Sequence, residues 1–158
     1  MSSPANTVRG TPAGIKLKDG YSSTIAFAAN PTISFWEKQV TPPGLDGGEK
    51  VPQTTMLNST LRTFASRGLY ELTDVTVKAG YDPNLYTQIA SLINVEGAIT
   101  VKWKDGSTLD FFGYLQKFMP DTLADGTQPE CTITIVCTNW DPVGKVEAGP
   151  VMTSVAGT

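Results

Sequence analysis

Apolar side chains recur at every second position over several short stretches of the chain. Ile25 and Phe27, Ile33 and Phe35, and Val75, Val77 and Ala79 each alternate with polar or small residues. That period sets one side of a strand on a core and leaves the other in water. Residues 98–115 predict a hairpin in which Ile99, Val101 and Trp103 share one face and Thr100, Lys102 and Lys104 the other. Asp105-Gly106 between its arms is expected to supply the positive φ angles of a tight turn. The second arm is apolar on both faces, with Leu109, Phe111 and Leu115 against Phe112, Tyr114 and Phe118. A strand of that kind predicts that another element or a neighbouring subunit covers its second face.

Residues 130–137 read as one continuous strand with Cys131, Ile133, Ile135 and Cys137 on one face. At ~3.3 Å per residue the two cysteines stand ~20 Å apart, beyond the ~7 Å Cα separation that a disulfide tolerates. They are expected to be small buried hydrophobes and not metal or redox groups.

The period changes once. Asp82 is placed to cap a helix and Pro83 to open it, and Leu85, Ile89, Leu92 and Ile93 recur at i, i+4, i+7 and i+8, which predicts a helix over 82–94 packing one apolar stripe on a sheet. About seven strands, one helix and no alternating βαβ pattern predict a mainly β fold. The expected architecture is an antiparallel β-sandwich or barrel of about seven strands with one flanking α-helix and a long strand-connecting loop.

That loop, residues 41–58, contains Pro42, Pro43, Gly44, Leu45, Asp46, Gly47, Gly48, Glu49, Lys50, Val51, Met56 and Leu57. Connections between strands usually need ~2–6 residues, and longer ones tend to be functional. Its Pro and Gly residues break regular pairing, while Leu45, Val51, Met56 and Leu57 would pack if a partner surface met them. The domain is expected over 19–146. Residues 1–18 and 147–158, rich in Ser, Pro, Gly and Thr, read as extended arms that are loose in the isolated subunit and order across neighbours on assembly.

Composition narrows the function. The 158 residues are 40% hydrophobic and 17% charged, suited to one domain with one core. No apolar run approaches the ~20 residues of a membrane span, so no membrane segment is expected, and the first residues lack the pattern of a Sec-type signal. A net charge of −3 argues against gripping DNA. Lys102 and Lys104 beside Trp103 read as an exposed strand face.

Histidine is absent, which removes the commonest general base and metal ligand. Gly44, Gly47 and Gly48 lead into Glu49-Lys50 and not into the Lys-Ser or Lys-Thr of a phosphate loop. Asp105, Asp110, Asp121 and Asp125 lack calcium-loop spacing and read as solvated turn residues. No catalytic, cofactor-binding or metal residue is predicted, and an enzyme is not expected.

The order of these features resembles the major tail tube protein of long-tailed, siphovirus-like bacteriophages. The resemblance spans residues 22–146. It rests on Val40-Thr41-Pro42-Pro43-Gly44-Leu45-Asp46-Gly47-Gly48, then Thr54-Thr55-Met56-Leu57-Asn58-Ser59-Thr60-Leu61-Arg62-Thr63, Tyr81-Asp82-Pro83 at the helix, Trp103-Lys104-Asp105-Gly106-Ser107 at the hairpin, Phe112-Gly113-Tyr114 and Pro129-Glu130-Cys131-Thr132-Ile133-Thr134-Ile135. The resemblance implies a subunit of hexameric rings stacked into a tube, made in the host bacterial cytoplasm and resident in the virion tail. Its partners would be further copies of itself, the tail tip or baseplate, the tape-measure and the tail terminator proteins. Viral DNA would pass through the lumen without specific binding, under a negative field to which six copies at −3 contribute about −18. Residues 41–58 would couple one ring to the next.

Two alternatives remain open: the tube protein of a contractile injection or type VI secretion machine, and a carbohydrate-binding β-sandwich with Trp36, Trp103 and Trp140 as its platform.

Overall fold

The computed structural model describes residues 21–154. The expected arm 1–18 and residues 155–158 lie outside the described residues. In chain order the elements are β1 (Thr24–Phe27), β2 (Trp36–Thr41), β3 (Leu45–Asp46), β4 (Val51–Pro52), β5 (Phe64–Ala65), β6 (Glu71–Leu72), β7 (Val75–Gly80), α1 (Pro83–Ala90), β8 (Gly97–Lys102), β9 (Thr108–Pro120), β10 (Glu130–Cys137), β11 (Trp140–Asp141), β12 (Val146–Glu147) and β13 (Val151–Thr153).

Seven strands form one antiparallel sheet in the order β1-β8-β9-β10-β7-β2, with β13 also on β9. The mainly β fold of about seven antiparallel strands and one helix is thus the fold observed, in the form of a half-barrel. Period-two alternation places the core inside the curl. Ile25, Phe27, Val75, Val77, Ala79, Ile99, Val101, Phe111, Leu115, Cys131, Ile133 and Ile135 all point inward and are buried. Phe27 meets Phe35 edge-on at 5.9 Å between centroids.

The helix α1 brings Leu85 and Ile89 onto this core. Asp82 accepts a hydrogen bond from the Asn84 N–H at 3.0 Å as the N-cap. The helix ends earlier than the expected 94, because the Ser91 hydroxyl donates to the Gln88 carbonyl at 2.6 Å and Asn94 takes the left-handed conformation at φ 61°. Leu92 and Ile93 therefore lie beyond the helix. Leu92 is still buried, and Ile93 makes an isolated parallel bridge to Leu115.

Three further differences from the alternation pattern have local causes. Between β9 and β10, Thr134 faces Lys117 but Ile135 faces Leu115, so Gln116 is an extra residue in β9. A one-residue insertion reverses the facing of every later residue in the strand. Phe118, expected on the outer face, instead stands opposite Ile133 and packs on Tyr81 and Tyr86 with centroids 6.0 Å away in each case. At the β8–β9 turn Gly106 takes positive φ (93°) and Asp105 does not; its carboxylate accepts from the Ser107 N–H at 2.8 Å. The Gly106 N–H donates to the Trp103 carbonyl at 3.0 Å and the Trp103 N–H to the Ser107 carbonyl at 2.9 Å, a three-residue loop with glycine in the left-handed position. Trp103 accordingly lies beyond the end of β8, half-buried against the core.

The third concerns the end of the chain. Within the expected arm 147–158, Val151–Thr153 pairs with Thr108–Asp110 as β13. The partner strand β9 runs past the point where β10 stops at Cys137 opposite Gly113, which leaves an open edge that β13 fills.

Candidate assembly surface

Strands β2 and β7 are neighbours, with Thr41 opposite Thr76. A short turn would join them, yet the chain runs out between them into an arm of two antiparallel limbs. At its root, beyond the half-buried Pro42 and Pro43, the Thr73 N–H donates to the Gly44 carbonyl at 2.9 Å. The Gly44 N–H in turn donates to the Thr73 hydroxyl at 2.7 Å. Leu45 and Asp46 then pair with Leu72 and Glu71.

Where Gly47 and Gly48 interrupt the ladder, side chains bridge the limbs. Within the first limb Asp46 accepts from the Gly48 N–H at 2.8 Å, and Gly48 takes φ 79°, a conformation that favours glycine, with the Arg67 side chain beside it. The Arg67 Nε donates to the Glu49 carbonyl at 2.7 Å. The Lys50 ammonium sits 3.8 Å from the Phe64 ring centroid, a cation–π contact between limbs. Pairing resumes with Val51 and Pro52 opposite Ala65 and Phe64.

Side-chain hydrogen bonds fix the tip, with Asn58 at their centre and the Thr63 N–H donating to the Thr54 hydroxyl at 3.1 Å. Asn58 Oδ1 accepts from the Thr55 N–H at 2.8 Å, and its Nδ2 donates to the Leu61 carbonyl at 2.8 Å. These bonds order the turn without burying it: Met56 and Leu57 are 102% and 94% exposed, and Leu45, Leu61, Leu69 and Tyr70 are also exposed. Ordered backbone carrying a row of uncovered apolar side chains is the mark of an interaction surface.

The sequence-predicted loop 41–58 is therefore one limb of this arm and includes short strands. The opposing limb, through Leu61, Phe64, Leu69 and Tyr70, was not foreseen, because its apolar residues do not alternate. The helix-face and hairpin residues belong elsewhere: Leu85, Ile89, Leu92, Ile99, Val101, Phe111 and Leu115 are buried in the body, with Ile93 and Trp103 at its margin.

The sheet's terminal strands β1 and β2 face each other across a cleft of about 950 Å³ whose lining includes Tyr21, Trp36, Glu37 and Trp103. Trp140 stands apart on β11, so the structure brings two of the three tryptophans to one cleft. Among the described residues no group of three or more His, Cys, Asp or Glu side chains is placed to hold a metal ion, and no helix is long and apolar enough to cross a membrane.

No protein-family model matches the chain, and a search of curated proteins finds no relative. Among solved structures, the chain is similar to one in the cryo-EM structure of the anti-feeding prophage (AFP) baseplate, 6-fold symmetrised. The TM-score is 0.54 at 10% identity, covering 92% of this chain and 97% of that one. At that identity the likeness establishes a shared fold.

Proposed function

We propose that this chain is a structural subunit of a phage-type tail tube, assembling as six-fold rings that stack through the arm into a hollow conduit for the genome. The arm carries the proposal. Its apolar residues are ordered outside the core, which makes sense when a second copy covers them. A ring closes through one heterologous contact, and a tube needs another on a different surface. The half-barrel supplies a rigid body from which that second contact projects.

The shared fold with a chain of a six-fold symmetrised baseplate supports membership of a tail-like machine. It also favours a second reading, a ring component of a contractile injection machine, with the same arm in the same role. Gene neighbourhood separates the two: tape-measure and tail assembly genes accompany a virion tail, and a sheath-recycling ATPase accompanies a secretion machine. Negative-stain microscopy of the purified chain over a range of concentrations tests assembly itself. Rings and rods are expected, and isolated particles at all concentrations would contradict it.

A further inference from the structure

Stacking by one repeated contact needs a donor at one pole of the subunit and an acceptor at the other, and the strand registers identify both poles. Thr41 opposite Thr76 marks the end of the β2–β7 pair from which the arm leaves, and Trp36 opposite Gly80 marks the far end. Gly80 also faces Glu130, and Cys131 faces Pro120. The far pole therefore gathers Trp36, the start of α1 and the β9–β10 connection.

That pole has the features of an acceptor. Trp36 is 71% exposed and lies across Gly80, where an added Cβ would come within 3.2 Å of the Trp36 Cβ. Trp36, Gly80, Tyr81, Asp82, Gln128 and Pro129 line a cleft of about 340 Å³, room for aliphatic side chains. The segments at this end carry Asp82, Asp121 and Asp125 and are joined by hydrogen bonds from the Tyr81 N–H to the Pro129 carbonyl at 3.0 Å and from the Asp121 N–H to the Glu130 carbonyl at 2.9 Å. Lys38 is engaged by Glu130 at 2.6 Å, and Lys78 acts on the same carboxylate. The arm tip is the complement: between Pro52 and Phe64 it carries exposed Met56, Leu57 and Leu61 and a single charge, Arg62.

We propose that this cleft receives the arm tip of a second copy in the next ring. Met56 and Leu57 enter beside Trp36, and Arg62 faces the carboxylates and the exposed indole, an arrangement that also suits a cation–π contact. The inference rests on the arm-mediated stacking proposed above and names its receiving surface.

Three variants and one cross-link test it by microscopy, each variant first confirmed as folded by circular dichroism. Met56→Asp reports on the arm, and Trp36→Ala and Gln128→Arg report on the cleft; Gln128 is exposed, so its replacement leaves the core untouched. Each is expected to raise the concentration needed for tubes by at least about tenfold, as for loss of an interface anchor. Oxidising a mixture of Leu57→Cys and Gln128→Cys proteins is expected to give the mixed disulfide dimer. If Met56→Asp abolishes tubes while both cleft variants assemble at wild-type concentration and no mixed dimer forms, the acceptor lies elsewhere and the arm reading stands. If Met56→Asp also assembles normally, the arm reading falls and the acceptor with it.

Discussion

Glu37 on β2 accepts a hydrogen bond at 3.3 Å from the backbone N–H of Ile25 on β1, so a side chain from one end of the curled sheet serves the unpaired edge of the other. A closed barrel would satisfy that N–H through a strand ladder. Here a carboxylate does so inside the cleft between the two edges, and its burial raises its pKa against the opposing effect of the bonds it accepts.

This carboxyl gives stability a defined dependence on pH. A folded pKa above the unfolded value of about 4.3 means that the folded state binds the proton more tightly. The group's contribution is fully present below the unfolded pKa and is lost as pH rises through the folded one. Glu37→Gln, which keeps the acceptor and removes the charge, is expected to melt above wild type at pH 7, with the difference closing as the pH falls towards 4. Parallel melting curves of the two proteins across that range would show that the carboxyl is not desolvated.

Gly113 on β9 lies against the Val136 carbonyl, where an added Cβ would stand only 2.3 Å from the oxygen. Backbone cannot yield as a flexible side chain does. Gly113→Ala is expected to lose about 1–3 kcal/mol or more in denaturant titration through forced overpacking; an unchanged midpoint would mean that β9 and β10 separate there at little cost.

Leu92 is buried at 3% exposure although it lies past the end of α1. Leu92→Ala is expected to cost about 2–5 kcal/mol by leaving a cavity, and a thermal melt equal to wild type would remove the residue from the core.

Cys137 is half-buried, and burial, with a smaller effect from Asp74, pushes its thiol up to about 11. Since the thiolate is the reactive form, alkylation at pH 8 is expected to run roughly two hundredfold slower than for a free thiol of pKa about 8.5. Rapid modification of the folded chain would show an open environment.

The curled sheet was legible through β1, β7, β8, β9 and β10, each buried on one face, and period two arises directly from that. Ile33 and Phe35, expected on a strand, are buried but precede β2 outside any strand. Asp82 and Pro83 announced the start of α1 for an equally local reason. The pattern did not show the bulge at Gln116, since an inserted residue looks like any other polar position until the partner strand fixes the register. It was also silent on β13: Val151 and Met152 remain exposed, so their pairing rests on backbone hydrogen bonds that carry no hydrophobic signature. The arm was half legible. The length and Pro-Gly content of 41–58 showed that something other than a turn stood there, but the opposing limb is held by Arg67, Lys50 and Asn58 acting through specific contacts, and no periodicity encodes those.

Replacing residues 46–71 by a tight turn, so that Leu45 and Leu72 still pair, tests the central claim most directly. The body is expected to fold as before, because the removed residues lie largely outside the core and loop length changes closure entropy by only about 0.6 kcal/mol per doubling. With that fold confirmed by circular dichroism, electron microscopy of the shortened chain is expected to show single rings or free subunits and no tubes. Tubes of normal length from the same protein would contradict the assignment of stacking to the arm.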